Sequence, residues 1–135
     1  MKKKTEIIIT GRPVAKARPR FYRRGNHVGT YNDQTTEEGR WMLQASGQIK
    51  EIVPEGTPIT LRCLFCMPIP KSMSKKQREA TIYHIKRPDL DNLVKFVKDC
   101  LNGLAWRDDS QVSELFAGKV YSDEPRTEIW IEYDE

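Results

Sequence analysis

Two aspartates stand two residues apart in the segment Asp89-Leu90-Asp91, and Lys95 follows four residues after the second of them. Carboxylate oxygens are the ligands that hard cations prefer, and Mg²⁺ usually takes one or two carboxylates and leaves its other positions to water and phosphate. A lysine beside them can stabilise the charge that develops on a phosphoryl group. These residue types therefore predict metal-assisted phosphodiester chemistry.

The two carboxylates can act together only if a helix starts between them. Inside a helix, residues two apart point about 200° away from each other. Pro88 favours an extended lead-in, because the residue before a proline disfavours the helical region. Apolar residues then follow at helical spacing, up to a typical helix end at Asn102-Gly103: Leu90, Leu93, Val94, Val97 and Leu101. We expect Asp89 at the N-cap, Asp91 in the first turn and Lys95 one turn further along the same face.

A third carboxylate is available downstream at Asp108 or Asp109, if the chain folds back after the helix. The spacing does not choose between these two residues. An ordinary structural interpretation also stays open. In it Asp89 is only a helix cap, Asp91 and Lys95 form a surface ion pair worth about 0.2–0.5 kcal/mol, and the later pair is only a turn.

The charge of the chain suits a polyanionic partner. The 135 residues carry a formal net charge of +4, and the sequence pI is about 9.0. Basic residues concentrate near the N-terminus and acidic ones at the C-terminus, which favours a basic binding face. Binding through such a face should weaken steeply with salt. The candidate contacts to nucleic-acid phosphates are Lys16, Arg18, Arg20, Arg23, Arg24, Lys75 and Lys76.

Hydrophobic patterning predicts an α/β (α+β) fold over residues 1–135, a single small domain with a mixed β-sheet of about five strands and two or three helices. Strands are expected over residues 5–10, 59–67, 112–121 and 127–133, with a hairpin or loop tip near Gly25. A short turn at residues 122–125 is expected to join the last two strands. Besides the helix after Asp89, one helix is expected from Thr35 or Thr36 to Ile52, and a short one is expected after a cap at Ser72 or Ser74.

The cysteines and the apolar runs bear on location. Three cysteines, an odd number, favour a reduced compartment over a disulfide framework. Cys63 and Cys66 lie three apart on a predicted strand and should point to opposite faces, so we expect burial rather than metal binding. No apolar run approaches the roughly 20 residues that span a bilayer. We expect a cytoplasmic protein without a membrane partner.

Three stretches follow one another in the order GRPVAKARPR (11–20), PDLDNLVK (88–95) and DDSQV (108–112). Together they resemble the RusA family of Holliday-junction resolvases over most of the chain. The resemblance implies symmetric, Mg²⁺-dependent cutting of four-way DNA junctions by a homodimer, with Mn²⁺ able to substitute. It also implies a bacterial or prophage-encoded protein that acts in DNA recombination and repair.

The resemblance further implies roles for single residues. Asp89, Asp91 and Asp109 would be metal ligands, with Asp108 as a substitute for Asp109, and Lys95 would be the catalytic lysine. Two alternatives stay open beside this interpretation. One is a non-catalytic nucleic-acid-binding module with structural aspartates, and the other is a metal-dependent nuclease that acts mainly on forks or flaps.

Overall fold

A mixed β-sheet lies at the centre of the computed structural model, which describes residues 2–17, 20–25, 27–31 and 35–135. The side chains of residues 20–24 and 27–31 fall outside that description. The strands of the described part are β1 (Lys2–Thr10), β2 (Arg20–Arg24), β3 (His27–Tyr31), β4 (Ile59–Pro68), β5 (Val112–Ser122) and β6 (Arg126–Asp134). Its helices are α1 (Thr35–Ser46), α2 (Lys75–Ala80) and α3 (Leu90–Leu101), with a short 3₁₀ helix at Asp109–Gln111.

Within the described residues, the main sheet has four strands in the order β1-β6-β4-β5, rather than the five expected. Strand β6 pairs antiparallel with both β1 and β4, and β4 pairs parallel with β5. Strands β2 and β3 form a separate antiparallel hairpin, with Arg24 opposite His27, as the residues around Gly25 predicted. The fold is thus the predicted mixed α/β type, with one strand fewer in its sheet.

Strands β5 and β6 are joined by a short turn, as predicted, but they do not pair with each other. Strand β4 lies between them, so the turn crosses about 10 Å, two strand spacings. Arg126 braces this crossing, because its Nη1 donates to the Glu124 carbonyl at 2.8 Å and to Ser122 Oγ at 3.2 Å. Every second residue of β6 faces the core, as its apolar alternation requires.

The core lies between one face of the sheet and helices α1 and α3. Trp41 of α1 packs edge-on against Phe96 of α3, with ring centroids 5.9 Å apart. The apolar stripe predicted for α3 is buried except for Leu90, which is half-buried, and Phe96 and Cys100 are buried beside it. The sheet contributes alternate residues of its strands, among them Ile7, Ile9, Leu61, Phe65, Ile129 and Ile131.

Helix α1 ends at Ser46, so the predicted continuation to Ile52 is wrong. The side chain of Gln48 pairs with the free edge of β1. It accepts from the Ile8 N–H at 2.8 Å, and its Nε2 donates to the Ile8 carbonyl at 2.8 Å. This contact satisfies two main-chain groups of an edge strand, which an isolated helical pattern does not reveal.

Helix α2 begins at one of the two N-caps that the sequence predicted, Ser72 and Ser74. The Gln77 N–H donates to Ser74 Oγ at 3.2 Å, and the Ser74 N–H donates to Gln77 Oε1 at 2.9 Å. This reciprocal pair is a capping box, so Ser74 rather than Ser72 starts the helix.

The three cysteines are free thiols and buried, and burial was predicted for Cys63 and Cys66. Burial raises the pKa of Cys63 and of Cys100 to about 12. No helix in the described ranges is both long and apolar enough to cross a membrane.

Candidate active site

A surface cleft of about 560 Å³ brings the basic N-terminal segment beside the start of α3. Arg12, Lys16, Arg87, Asp89 and Asn92 contribute to its walls. The Lys16 N–H donates to the Asn92 carbonyl at 3.0 Å. This hydrogen bond connects the basic N-terminal segment to the first turn of α3. Two of the three sequence motifs, far apart along the chain, therefore line one cleft.

Asp89 occupies the N-cap of α3 without using its side chain as a cap. Its backbone is extended, with φ −68° and ψ 145°, and its carbonyl accepts from the Leu93 N–H at 3.2 Å. Its exposed carboxylate makes no capping hydrogen bond. The helix thus starts between Asp89 and Asp91, as predicted, and the Asp89 oxygens are left for another partner.

Asp91 and Lys95 are both exposed on α3, one helical turn apart. Within the part of the chain described, they form no ion pair with each other. The surface ion pair of the structural interpretation is therefore not seen. Asp91 lies in the first turn, where the partial positive charge of the helix end stabilises a carboxylate.

Asp109 lies beyond the opposite end of α3. The helix has 12 residues, which span about 18 Å. After it, the Gly103 N–H donates to the Trp106 carbonyl at 2.7 Å, and the indole Nε1 of the fully buried Trp106 donates to Asp109 Oδ1 at 2.8 Å. This hydrogen bond orients the Asp109 carboxylate.

Asp108 has a local structural use. Its Oδ1 accepts from the Ser110 N–H at 3.4 Å, and its own N–H donates to Gln111 Oε1 at 3.0 Å. These contacts form a capping box at the start of the short 3₁₀ helix. The turn of the structural interpretation is therefore present at this position.

The chain does fold back after α3. The returning strand β5 begins at Val112, however, so Asp109 precedes it and stays beyond the C-terminal end of the helix. Strand β5 runs back to the start of α3, where Lys119 Nζ donates to the Pro88 carbonyl at 2.8 Å. In the described ranges, no group of three His, Cys, Asp or Glu side chains is arranged to hold a metal ion. The structure places Asp89 and Asp91 on either side of the start of α3 and does not add Asp108 or Asp109 to them within one chain.

The two carboxylates at the start of α3 fit Mg²⁺ by their chemistry. Asp89, in the cleft, and Asp91, in the first turn of α3, supply two exposed carboxylates, and Mg²⁺ usually takes one or two protein carboxylates. The ligand roles of Asp89, Asp91 and Asp109 and the catalytic role of Lys95 stay predictions.

Lys16 lines the cleft but is also paired inside the protein. Its Nζ lies 3.2 Å from Glu38 Oε1 of α1 and 3.3 Å from Asp99 Oδ2 of α3. Burial lowers the pKa of Lys16, but the hydrogen bonds and charges of the two carboxylates outweigh burial, so the pKa is raised overall. Lys16 thus joins two helices, a role that its sequence neighbourhood does not reveal.

Comparison with known proteins places the chain in a family. The sequence profile described as "Endodeoxyribonuclease RusA" matches residues 10–132, which include all three motifs. The chain belongs to the RusA endodeoxyribonuclease family. A relative in Bacillus subtilis (strain 168), the "Uncharacterized protein YqaN", is 38% identical over a match that covers 93% of this chain and 94% of the relative.

In this RusA-family chain, the other predicted DNA contacts are placed only in part. Lys75 and Lys76 are exposed on α2. Arg18 lies outside the described residues. The main chain of Arg20, Arg23 and Arg24 belongs to β2, but their side chains also lie outside the description.

Two cleft residues of the RusA-family chain were missing from the predicted DNA contacts: Arg12 and Arg87, both exposed. The sequence did hold a signal for each. Arg87 directly precedes Pro88-Asp89, and Arg12 stands in the basic first motif. What the sequence did not show is that these two motifs meet in space.

Proposed function

We propose that this chain is a Mg²⁺-dependent endonuclease that resolves four-way DNA junctions by paired, symmetric cuts. The observation that carries the proposal is the cleft in which Asp89, at the N-cap of α3, lies with Arg12 and Arg87, while Asp91 follows in the first turn of the helix. A nuclease of this kind needs carboxylates for a metal ion and cations for the DNA phosphates, and both lie in or beside one cleft. Membership of an endodeoxyribonuclease family supports the same conclusion.

Each residue of the candidate site has a task that its chemistry allows. Arg12 and Arg87 bind phosphate oxygens, because a guanidinium presents a planar fork of N–H donors. Asp89 and Asp91 hold the metal ion, with Mn²⁺ able to replace Mg²⁺. When bound, the ion polarises the phosphate and lowers the pKa of a coordinated water. Lys95, exposed one turn after Asp91, stabilises negative charge on the phosphoryl group or the leaving oxygen.

Two incisions require two copies of the site. A four-way junction has two-fold symmetry, and a homodimer with isologous contacts presents two sites related by the same symmetry. The remaining basic residues then hold the arms of the junction, and affinity should fall steeply with salt. These residues are Lys16, Arg18, Arg20, Arg23, Arg24, Lys75 and Lys76.

The proposal predicts the behaviour of Asp91→Asn on a synthetic four-way junction with Mg²⁺. Cleavage should be lost, because a neutral amide is a poor metal ligand, while junction binding should stay intact or tighten as a negative charge near the DNA is removed. Gel-based cleavage and binding assays measure both. Asp134→Asn is the matched control, since Asp134 is exposed at the end of β6, beside the start of β1 and away from the cleft.

Unchanged cleavage by Asp91→Asn would contradict the proposal and favour the non-catalytic binding module. Mapping the cut positions tests the paired incisions, which should lie symmetrically on two opposing strands. Fork and flap substrates, run in parallel, test the specificity. Equal cutting of all three substrates would assign the chain to a general branched-DNA nuclease.

A further inference from the structure

The side chain of Lys119, on β5, holds the segment that leads into Asp89. Its Nζ donates to the Lys86 carbonyl at 2.7 Å and to the Pro88 carbonyl at 2.8 Å. These two carbonyls flank the Arg87–Pro88 peptide bond, and Pro88 directly precedes Asp89. One ammonium group therefore binds the carbonyl before Arg87 and the carbonyl of Pro88, and Arg87 and Pro88 are the last two residues before the candidate ligand Asp89.

In the described part of the chain, main-chain hydrogen bonds tie this segment to β5 near its beginning, at Ile82 and His84. The Tyr121 N–H donates to the Ile82 carbonyl at 2.9 Å, and the His84 N–H donates to the Lys119 carbonyl at 3.2 Å. Ile85 is then 89% exposed, and Lys86 and Arg87 are exposed as well. In the described part of the chain, the hydrogen bonds that fasten residues 85–88 come from the Lys119 side chain.

We propose that Lys119 is a positioning residue for the metal site, which rests on the function proposed above. Its ammonium fixes the Lys86 and Pro88 carbonyls and thereby sets where the Asp89 carboxylate lies relative to Asp91. A lysine suits this task, because its ammonium has three N–H donors, and hydrogen bonds from a charged donor are stronger than neutral ones. Two of these three donors are used on protein carbonyls, so the assigned role of Lys119 is to act on the site through the main chain that leads into Asp89.

The effect should appear first in metal affinity. Mg²⁺ demands near-ideal octahedral geometry, so a small displacement of one carboxylate weakens binding. Groups that orient metal ligands typically contribute about 10- to 100-fold in affinity or activity when they are removed. Release of the Pro88 carbonyl would let residues 85–89 shift while α3 and the sheet stay in place.

The test compares Lys119→Met, which keeps the length but loses the donors, with Lys119→Arg, which keeps both charge and donors. Mn²⁺ binding to the DNA-free protein is measured by electron paramagnetic resonance, and cleavage is measured against Mg²⁺ concentration. We expect Lys119→Met to weaken Mn²⁺ binding by about 10- to 100-fold. Its cleavage should recover at high Mg²⁺, and Lys119→Arg should regain most of the affinity. Lys50→Met, at an exposed lysine away from the cleft, is the control for the loss of one positive charge.

A second measurement separates positioning from a general loss of stability. In amide hydrogen exchange, Lys119→Met should raise the exchange rate in residues 85–93 and leave the core strands β4 and β6 unchanged. Faster exchange spread evenly over the sheet would overturn the proposal. It would also be overturned by unchanged Mn²⁺ affinity in Lys119→Met.

A phosphate-contact role for Lys119 has its own signature. Junction binding without metal is measured over a range of salt concentrations. If Lys119 contacts a phosphate, the slope of log binding constant against log salt concentration should be smaller by about one in Lys119→Met, and this result would overturn the proposal. Wild-type protein that binds Mn²⁺ but does not cut DNA would refute the proposed function alone, since the Mn²⁺ titration would still decide the role of Lys119. Wild-type protein without Mn²⁺ binding would refute both.

Discussion

The hydrogen bond from Trp106 to Asp109 allows two contributions of Asp109 to be measured separately: its contribution to the stability of the fold and its contribution to DNA cleavage. Trp106→Phe removes the indole donor and leaves a carboxylate oxygen without its partner. A hydrogen bond to a charged group contributes about 1.5–3 kcal/mol, and the smaller ring adds a packing loss in a fully buried site. We expect Trp106→Phe to lower the free energy of unfolding by about 2–4 kcal/mol, a melting temperature lower by roughly 6–15 °C.

Asp109→Asn should separate the two roles. The asparagine oxygen still accepts from the indole, so the free energy of unfolding should fall by no more than about 1 kcal/mol. If Asp109 is a metal ligand, as the family resemblance implies, junction cleavage should fall by at least about 100-fold in the same variant. Asp108→Asn is the matched control, because asparagine is as good a cap as aspartate and the neighbouring carboxylate is removed.

Chemical denaturation and a junction-cleavage assay on Trp106→Phe, Asp109→Asn and Asp108→Asn decide whether Asp109 is a structural acceptor, a metal ligand or both. A stable Asp109→Asn protein that cleaves like the wild type would refute the ligand role and leave Asp109 as a structural acceptor. Loss of cleavage in Asp108→Asn instead would transfer the role to Asp108. A change of less than about 0.5 kcal/mol in Trp106→Phe would refute the reasoning about the hydrogen bond itself.

Two further predictions follow from shifted pKa values. Burial, followed by the charge of Lys119, lowers the pKa of His84 below its ordinary 6.5. The unfolded chain then binds the proton more readily, so the stability held by neutral His84 is present above about pH 6.5 and is lost as the pH falls through the lowered pKa. His84→Gln should therefore flatten the fall of melting temperature below that pH, and an identical fall in both proteins would contradict this. Because burial raises the pKa of Cys63 and Cys100 to about 12, a thiol reagent should modify the native protein only as fast as it unfolds. Rapid labelling of these residues in the folded protein would contradict that.

Helix α3 shows how much local chemistry can predict. The steric effect of Pro88, the apolar period and Asn102-Gly103 all act between near neighbours in the chain, so they placed both ends of the helix correctly. The position of Asp89 at its N-cap followed from the same signals. That its carboxylate makes no capping bond did not follow, because capping is one of several uses for an aspartate there.

Contacts between distant segments were beyond the reach of such signals. Beyond the end of α1, Gln48 meets the edge of β1, and Lys16 is paired because α1 and α3 both pass beside it. The order of the sheet places β4 between β5 and β6, although only a short turn joins these two strands in the chain. Each outcome depends on which segments become adjacent, and periodicity within one segment carries no information about that.

The sequence alone determined the chemical character of this protein: paired carboxylates at a helix start, a lysine one turn later, a basic N-terminal segment and the three motifs of its family. These are matters of residue type and local spacing. Only the tertiary structure decided that Arg12 and Arg87 share a cleft with Asp89 and that Lys119 hydrogen-bonds to the main chain directly before Asp89. It also decided that Asp109 lies beyond the far end of α3. The physical reason is that the site is assembled across the sheet and helices, where main-chain pairing and packing between distant segments set the positions of side chains.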